Sequence, residues 1–311
     1  MLLLLKYTFL YSTVLMLVAL GGMFSERSGV INIALEGIME IGGLAGILTV
    51  IIFGDTMSTP AIIFLSILAS AICGMLFSLL LAYSAVSLNA NQIIGGTALN
   101  MMALSLTVIL VKLYNNAVKL GGSQSPKLTF NNDNFVYNIG GFTFNVFLPI
   151  AIVILIIAYV FLFKTKYGLR LRACGEHPQA ADSVGISVYS YRYLGVAISG
   201  FLGGIGGFAY ILPTVALWNF EVGVTGFGFL ALAVVIFGQW NPFKIAGASV
   251  FFALFKTLAN VSDSTVFAKL NLSQNIYNML PFIASLAILI FTAKNSAGPK
   301  AAGVPYDKGQ R

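Results

Sequence analysis

Asn32, Glu36 and Glu40 stand four residues apart in the string NIALEGIMEIGG, inside an otherwise apolar stretch. A helix brings that spacing onto one face. In a membrane helix a charged side chain costs about 2.5–3.5 kcal/mol on insertion scales, so it turns toward the bundle interior or a watery cavity. Glu36 then either lines a solute or gating surface or caps a neighbouring helix; Glu40 either joins that surface or lies near the head-group region. A second polar group follows in NANQIIGGTALNMM, with Asn89, Asn91, Gln92, Thr97 and Asn100. Amides both donate and accept hydrogen bonds and would suit a neutral polar solute. Equally, helix-end amides cap their own backbone, and Asn100 has the chemistry of interhelical glue. The candidate pathway residues are therefore Asn32, Glu36, Glu40, Asn91, Gln92 and Asn100.

No catalytic constellation accompanies them. The one histidine, His177, sits in a basic segment, and neither zinc-ligand spacing nor a nucleophile motif occurs. Cys73 and Cys174 suggest neither a disulfide framework nor a thiolate metal site. The string SGFLGGIGGFAY, with Gly200, Gly203, Gly204, Gly206 and Gly207, lacks a preceding strand and the Gly-Lys-Ser/Thr ending of a phosphate cradle. Close helix packing is its expected role, so the chain is expected to be no enzyme, to hold no metal or cofactor and to bind no ATP itself.

The elements that position these residues must be membrane helices. Of the 311 residues 58% are hydrophobic and only 9% charged, against about a quarter charged in an ordinary soluble domain. Stretches such as IAIVILIIAYVFLF, from Ile150, are apolar on every face, which excludes the alternating segments of a membrane β-barrel. The net charge of +7 is scattered over loops and termini, so no continuous basic face for nucleic acid forms. Residues 1–311 read as one domain, an all-α polytopic membrane helix bundle of about nine transmembrane helices. The predicted spans are 3–23, 31–53, 60–86, 92–114, 146–163, 193–213, 226–238, 243–263 and 276–293. The segment 226–238 is short and meets the Asn241-Pro242 break, which predicts a half-helix, and discontinuous helices facing a cavity are compatible with such a fold.

Orientation follows from the basic residues. Residues 164–192 carry Lys164, Lys166, Arg170, Arg172 and Arg192, and the C-terminal tail carries Lys294, Lys300, Lys308 and Arg311. Both are assigned to the cytoplasm, which puts the N-terminus and the polar segment 115–145 outside. The apolar N-terminal stretch ends in a poor cleavage site, Ala19-Leu20-Gly21, and is read as a retained helix rather than a signal peptide.

The cytoplasmic segment holds RLRACGEHPQAADSVGI. Arg172, Ala173, Gly175, Glu176, Pro178, Ala180, Ala181, Gly185 and Ile186 match a pattern R-A-x-G-E-x-P-x-A-A-x-x-x-G-I. The segment resembles the coupling region of ABC-importer permeases of the branched-chain amino acid, ribose and nucleoside group. Gly175 would permit a turn, Pro178 suits the first turn of a short helix, and Ala180 and Ala181 leave a small surface. RSGVINIALEGIM, NANQIIGGTALNMM and GFGFLALAVVIFGQWNP look closest to the nucleoside-type branch. Glu40 and Gln239 depart from that pattern, which has an apolar residue and a lysine there.

The resemblance implies ATPase coupling through Arg172, Gly175, Glu176, Pro178, Ala180, Ala181 and Gly185. It also implies an ATPase subunit with two nucleotide-binding domains, a second homologous permease forming a heterodimer, an external substrate-binding lipoprotein, and a place in the bacterial cytoplasmic (inner) membrane. Related permeases often contain inverted repeats. The cargo it implies is purine or other nucleosides moved inward by alternating access. Riboflavin or another small polar solute such as a sugar is the alternative, and a membrane-embedded enzyme the distant one.

Overall fold

Ten α-helices follow one another among the residues that a computed structural model describes, 2–118, 125–139, 142–214, 216–261, 279, 283 and 298–309. They are α1 (Leu2–Arg27), α2 (Leu35–Phe53), α3 (Thr59–Ala82), α4 (Gln92–Val118), α5 (Phe147–Lys164), α6 (Lys166–Glu176), α7 (Pro178–Ser183), α8 (Val188–Ile211), α9 (Phe227–Phe237) and α10 (Pro242–Val261). A π-helical turn, Tyr83–Ser87, prolongs α3. Among the described residues seven helices, all but α6, α7 and α9, are long and apolar enough to cross a membrane. The fold is an all-α polytopic membrane bundle. The predicted span 276–293 lies outside the described residues apart from Met279 and Ile283, as do Lys294 and Arg311.

Glycine sets how closely the central helices approach. α8 runs between α1, α2 and α3, and Gly204 faces both α2 and α3: a side chain there would meet the Ser70 carbonyl, and one on Gly42 would meet the Gly204 backbone. Backbone-to-backbone contact of this kind maximises dispersion where lipid offers no hydrophobic drive for association, as expected of the string SGFLGGIGGFAY.

The two ends of the bundle differ. At one end lie short antiparallel strand pairs: β1 (Lys127–Thr129) with β4 (Leu217–Asn219), in register Leu128 opposite Trp218, and β2 (Val136–Ile139) with β3 (Phe142–Asn145), Tyr137 opposite Phe144. Residues 125–139 and 142–145, expected as part of a polar connector, thus carry three of the four strands found among the described residues. Lys6, near the start of α1, and Pro213, just beyond α8, join Val136 and Asn145 around a small cavity there. At the opposite end α6 and α7 pack beneath α1 and α8, and residues 298–309 are strapped to them: Ala301 donates to the Gly175 carbonyl and Gly303 to that of Gly29.

α9 spans only eleven residues, roughly 16 Å of rise, about half of a 30 Å hydrocarbon core. The chain returns from β4 into the bundle before α9 begins. α10 starts at Pro242, with the Asn241 side-chain oxygen accepting from Phe243 and Lys244 N–H, so the predicted half-helix and break both occur.

α8 begins at Val188 rather than at 193. Arg192, counted above among the basic loop residues, is completely buried in its first turns. Its guanidinium is partly satisfied there: Nη1 donates to the Val304 carbonyl at 3.0 Å and the group lies over the Tyr306 ring, while Nε and Nη2 have no hydrogen-bond partner among the described residues.

Candidate translocation cleft and coupling segment

α2, α4 and the start of α9 enclose a cleft of about 460 Å³ lined by Glu36, Glu40, Thr97, Asn100, Met101, Leu104, Val222, Thr225, Gly226 and Phe229. This is within the roughly 300–1,000 Å³ that small-molecule sites occupy. The approach to α9 bends through left-handed residues, Gly223 at φ 63°, Thr225 at 53° and Gly226 at 81°. Gly226 is the N-cap of α9 and has no side chain with which to cap it. Glu36 supplies the cap from α2: Oε1 accepts from Gly226 N–H at 2.6 Å and Oε2 from Gly228 N–H at 2.7 Å, with a further bond from Phe229 N–H. A carboxylate at a helix N-terminus meets both unpaired donors and the positive end of the dipole. Lys256 of α10, 5.5 Å from the Phe227 ring centroid, adds an attractive charge.

Glu40, one turn further along α2, is bound differently. It accepts one backbone bond, from Val224, and its buried Oε2 has no hydrogen-bond partner among the described residues. It lines the cleft.

The other predicted pathway residues have structural partners. Asn100 bridges the start of α2, its Oδ1 accepting from Gly37 N–H at 2.8 Å and its Nδ2 donating to the Ile33 carbonyl at 2.9 Å. Gln92 accepts from Ile31 N–H, and Asn91 caps α4 by accepting from Ile93 and Ile94 N–H. Asn32 corrects the expected stripe. α2 starts only at Leu35, so Asn32 sits in irregular chain, and its Nδ2 donates to Ser199 of α8 at 2.8 Å. Helical spacing does not place a residue on a helical face once the helix has ended. Glu36, Glu40 and Asn100 meet in the cleft; Asn32, Asn91 and Gln92 are not among its lining residues. Thr225, Phe229 and Lys256 were not singled out above, although Lys256 had a signal: a lone cation within the apolar run FFALFKTLANV.

In the segment after α5, Pro178 occupies the first turn of α7 as its spacing predicted. Gly175 corrects another expectation. It lies inside α6, and its missing side chain makes room for the Arg27 carbonyl; the left-handed turn falls at Gly185, φ 80°. Ala181 and Pro178 are buried, so of the two alanines only Ala180 faces outward, beside exposed His177, Ser183 and Val184. Arg172 lies over the Phe163 ring at 4.8 Å, and Glu176 pairs with Arg27 at 3.6 Å. Cys174 packs with Ala181, Val188 and Tyr306; burial pushes its thiol up to about 11, the state of a packing residue rather than a reactive one.

Comparison with known proteins accords with this architecture. The family model described as branched-chain amino acid transport system / permease component matches residues 4–293. The chain is 40% identical to the guanosine ABC transporter permease protein NupQ of Bacillus subtilis (strain 168), over 98% of this chain and 96% of that protein. It is 39% identical to the nucleoside ABC transporter permease protein NupC of Lactococcus lactis subsp. cremoris, over 96% and 95%. To the putative glucose ABC transporter permease protein TsgC13 of Haloferax volcanii it is 30% identical, over 84% and 78%. A bundle of long apolar helices interrupted by the half-helix α9, matched from residue 4 to residue 293, is thus a multi-pass membrane protein that belongs to the branched-chain amino acid transport permease family.

Proposed function

We propose that the chain is the permease subunit of an ATP-binding-cassette importer that carries purine or other nucleosides inward by alternating access. The observation that carries this reading is near-full-length identity to two permeases named for guanosine and for nucleosides. The cleft supports it: Phe229 offers a ring for a flat base, Thr97 and Thr225 offer hydroxyls, and Glu40 an acceptor. The glucose-named relative favours a sugar as the second reading.

In this reading the end bearing α6, α7 and residues 298–309 is cytoplasmic, and the outward face of α7 docks on an ATPase subunit with two nucleotide-binding domains. The strand-bearing end meets an external binding lipoprotein, and the membrane is the bacterial cytoplasmic one. A second, related permease closes the cleft. Met101 and Phe229, both lining it, are 74% and 48% exposed, and carboxyl groups facing acyl chains would be unfavourable. ATP binding draws the ATPase domains together, α7 follows, and the pathway changes the side to which it opens.

The test is uptake by proteoliposomes holding the complete importer. ATP-dependent accumulation of guanosine, blocked by excess adenosine but not by glucose, is the expected result. Accumulation of nucleosides by this chain alone, without ATP, would overturn the importer reading; competition by glucose would favour the sugar.

A further inference from the structure

α9 is held at both ends, and the two attachments lead to different functional regions. Its N-terminus hangs on Glu36 in the cleft. Its C-terminus runs into a tight corner, Gln239 and Trp240, with φ of 49° and 51°. Two consecutive side-chain-bearing residues in the left-handed region persist only where their surroundings over-determine them. Here the end of α1 does so. Arg27 donates from Nε and Nη2 to the Trp240 carbonyl at 3.4 and 3.2 Å, and the Trp240 indole donates to Glu26 at 2.5 Å.

The same guanidinium faces the coupling segment. Arg27 Nη1 lies 3.6 Å from Glu176, the last residue of α6, two positions before α7 begins. The Arg27 carbonyl sits where a side chain on Gly175 would be. Glu176 also accepts from Lys300 N–H at 3.5 Å, and Gly298 packs against the Trp240 indole. α8, the other element leaving the segment, is interlocked with α2 and α3 through Gly204 and Gly207.

We infer that Arg27 is a positioning residue for transport, which ties the α6–α7 segment to the Trp240 corner and so lets displacement of that segment tilt α9 against Glu36 in the cleft. A planar guanidinium suits the task because its fork of donors grips a carbonyl and a carboxylate together. The inference rests on the importer reading above.

The experiment compares wild type, Arg27→Gln and Glu176→Gln in the complete importer, reconstituted with loaded binding protein, and reads guanosine carried per ATP hydrolysed. Coupling free energies of about 1–3 kcal/mol correspond to roughly 5- to 150-fold. The expected ratio is at least about tenfold lower for Arg27→Gln and about fivefold lower for Glu176→Gln. A ratio equal to wild type in Arg27→Gln, or uptake and hydrolysis falling in parallel, overturns the inference; the parallel fall marks a purely structural role. If Arg27→Gln fails to insert, the partly exposed Glu176→Gln decides alone, an unchanged ratio overturning the relay. A wild-type complex that couples no uptake to ATP overturns the importer reading and the relay with it, and is recognised before any variant is compared.

Discussion

The cleft and the α6–α7 segment solve opposite problems with the same kinds of residue. In the cleft, Glu36 is half-buried and both its oxygens are held by backbone N–H groups of a distant helix. In the α6–α7 segment, Glu176 is partly exposed and meets Arg27 at salt-bridge distance. Removing the first leaves donors stranded in a low-dielectric interior, where each unmade bond costs about 1–3 kcal/mol. Removing the second exposes groups that water can serve. Cleft residues should therefore carry stability and transport together, whereas the outward face of α7 should carry transport alone.

The sharpest break in that contrast is Glu36→Ala. It strands Gly226 and Gly228 N–H, so uptake should be abolished and the thermal midpoint in detergent should drop; a stable, transporting variant would refute the capping role. Ala180→Trp comes next. Ala180 is exposed on α7, so bulk there should lower uptake at least about tenfold, equivalent to about 1.4 kcal/mol. Its thermal midpoint should match wild type, with the ATPase subunit no longer co-purifying. Pro178 and Gly175 are poorer probes, because both are buried and large side chains there would disturb packing as well as docking.

Glu40→Gln is a finer test. It removes a carboxyl group one turn from Glu36 whose Oε2 has no partner among the described residues. Membrane-depth carboxyl groups are costly, so stability should rise, by about 1 kcal/mol, while the relative uptake of guanosine and adenosine shifts. Unfolding curves and competition uptake read both, and unchanged selectivity would remove Glu40 from the proposed cargo contacts. The smallest effect belongs to Asn91→Ala, which removes an α4 cap at a cost of about 1 kcal/mol. Its uptake should stay within about twofold of wild type, as for surface changes generally. A larger loss would place Asn91 in the pathway.

What was legible in the sequence was local or periodic. Pro178 announces the start of α7 because its fixed φ and missing N–H suit a first turn. Asn241-Pro242 marks the break after α9, and the glycine string marks close packing, since the residue types themselves restrict what the backbone can do. Long apolar runs required helices, because only helices or closed barrels satisfy backbone hydrogen bonds in lipid.

Partners across the bundle were not legible. Four-residue spacing put Asn32 with Glu36 and Glu40, but α2 starts after Asn32, and its amide binds Ser199 instead. Gly175 reads as a turn residue until the Arg27 carbonyl is seen beside it. Arg192 reads as a loop cation until the Val304 carbonyl and the Tyr306 ring are brought to it from more than a hundred residues away.

By itself the sequence determined that this chain is an all-α membrane bundle with a half-helix near residue 226 and a segment of permease type after α5. Those properties depend on apolar length, on backbone restriction by Gly and Pro, and on a contiguous motif. Only the tertiary structure decided that Glu36 caps α9, that Glu40 lies beside it with one oxygen unpaired among the described residues, and that Arg27 joins α6 to the Trp240 corner. A buried polar group is defined by the partner that reaches it, and here those partners come from helices far apart in the chain.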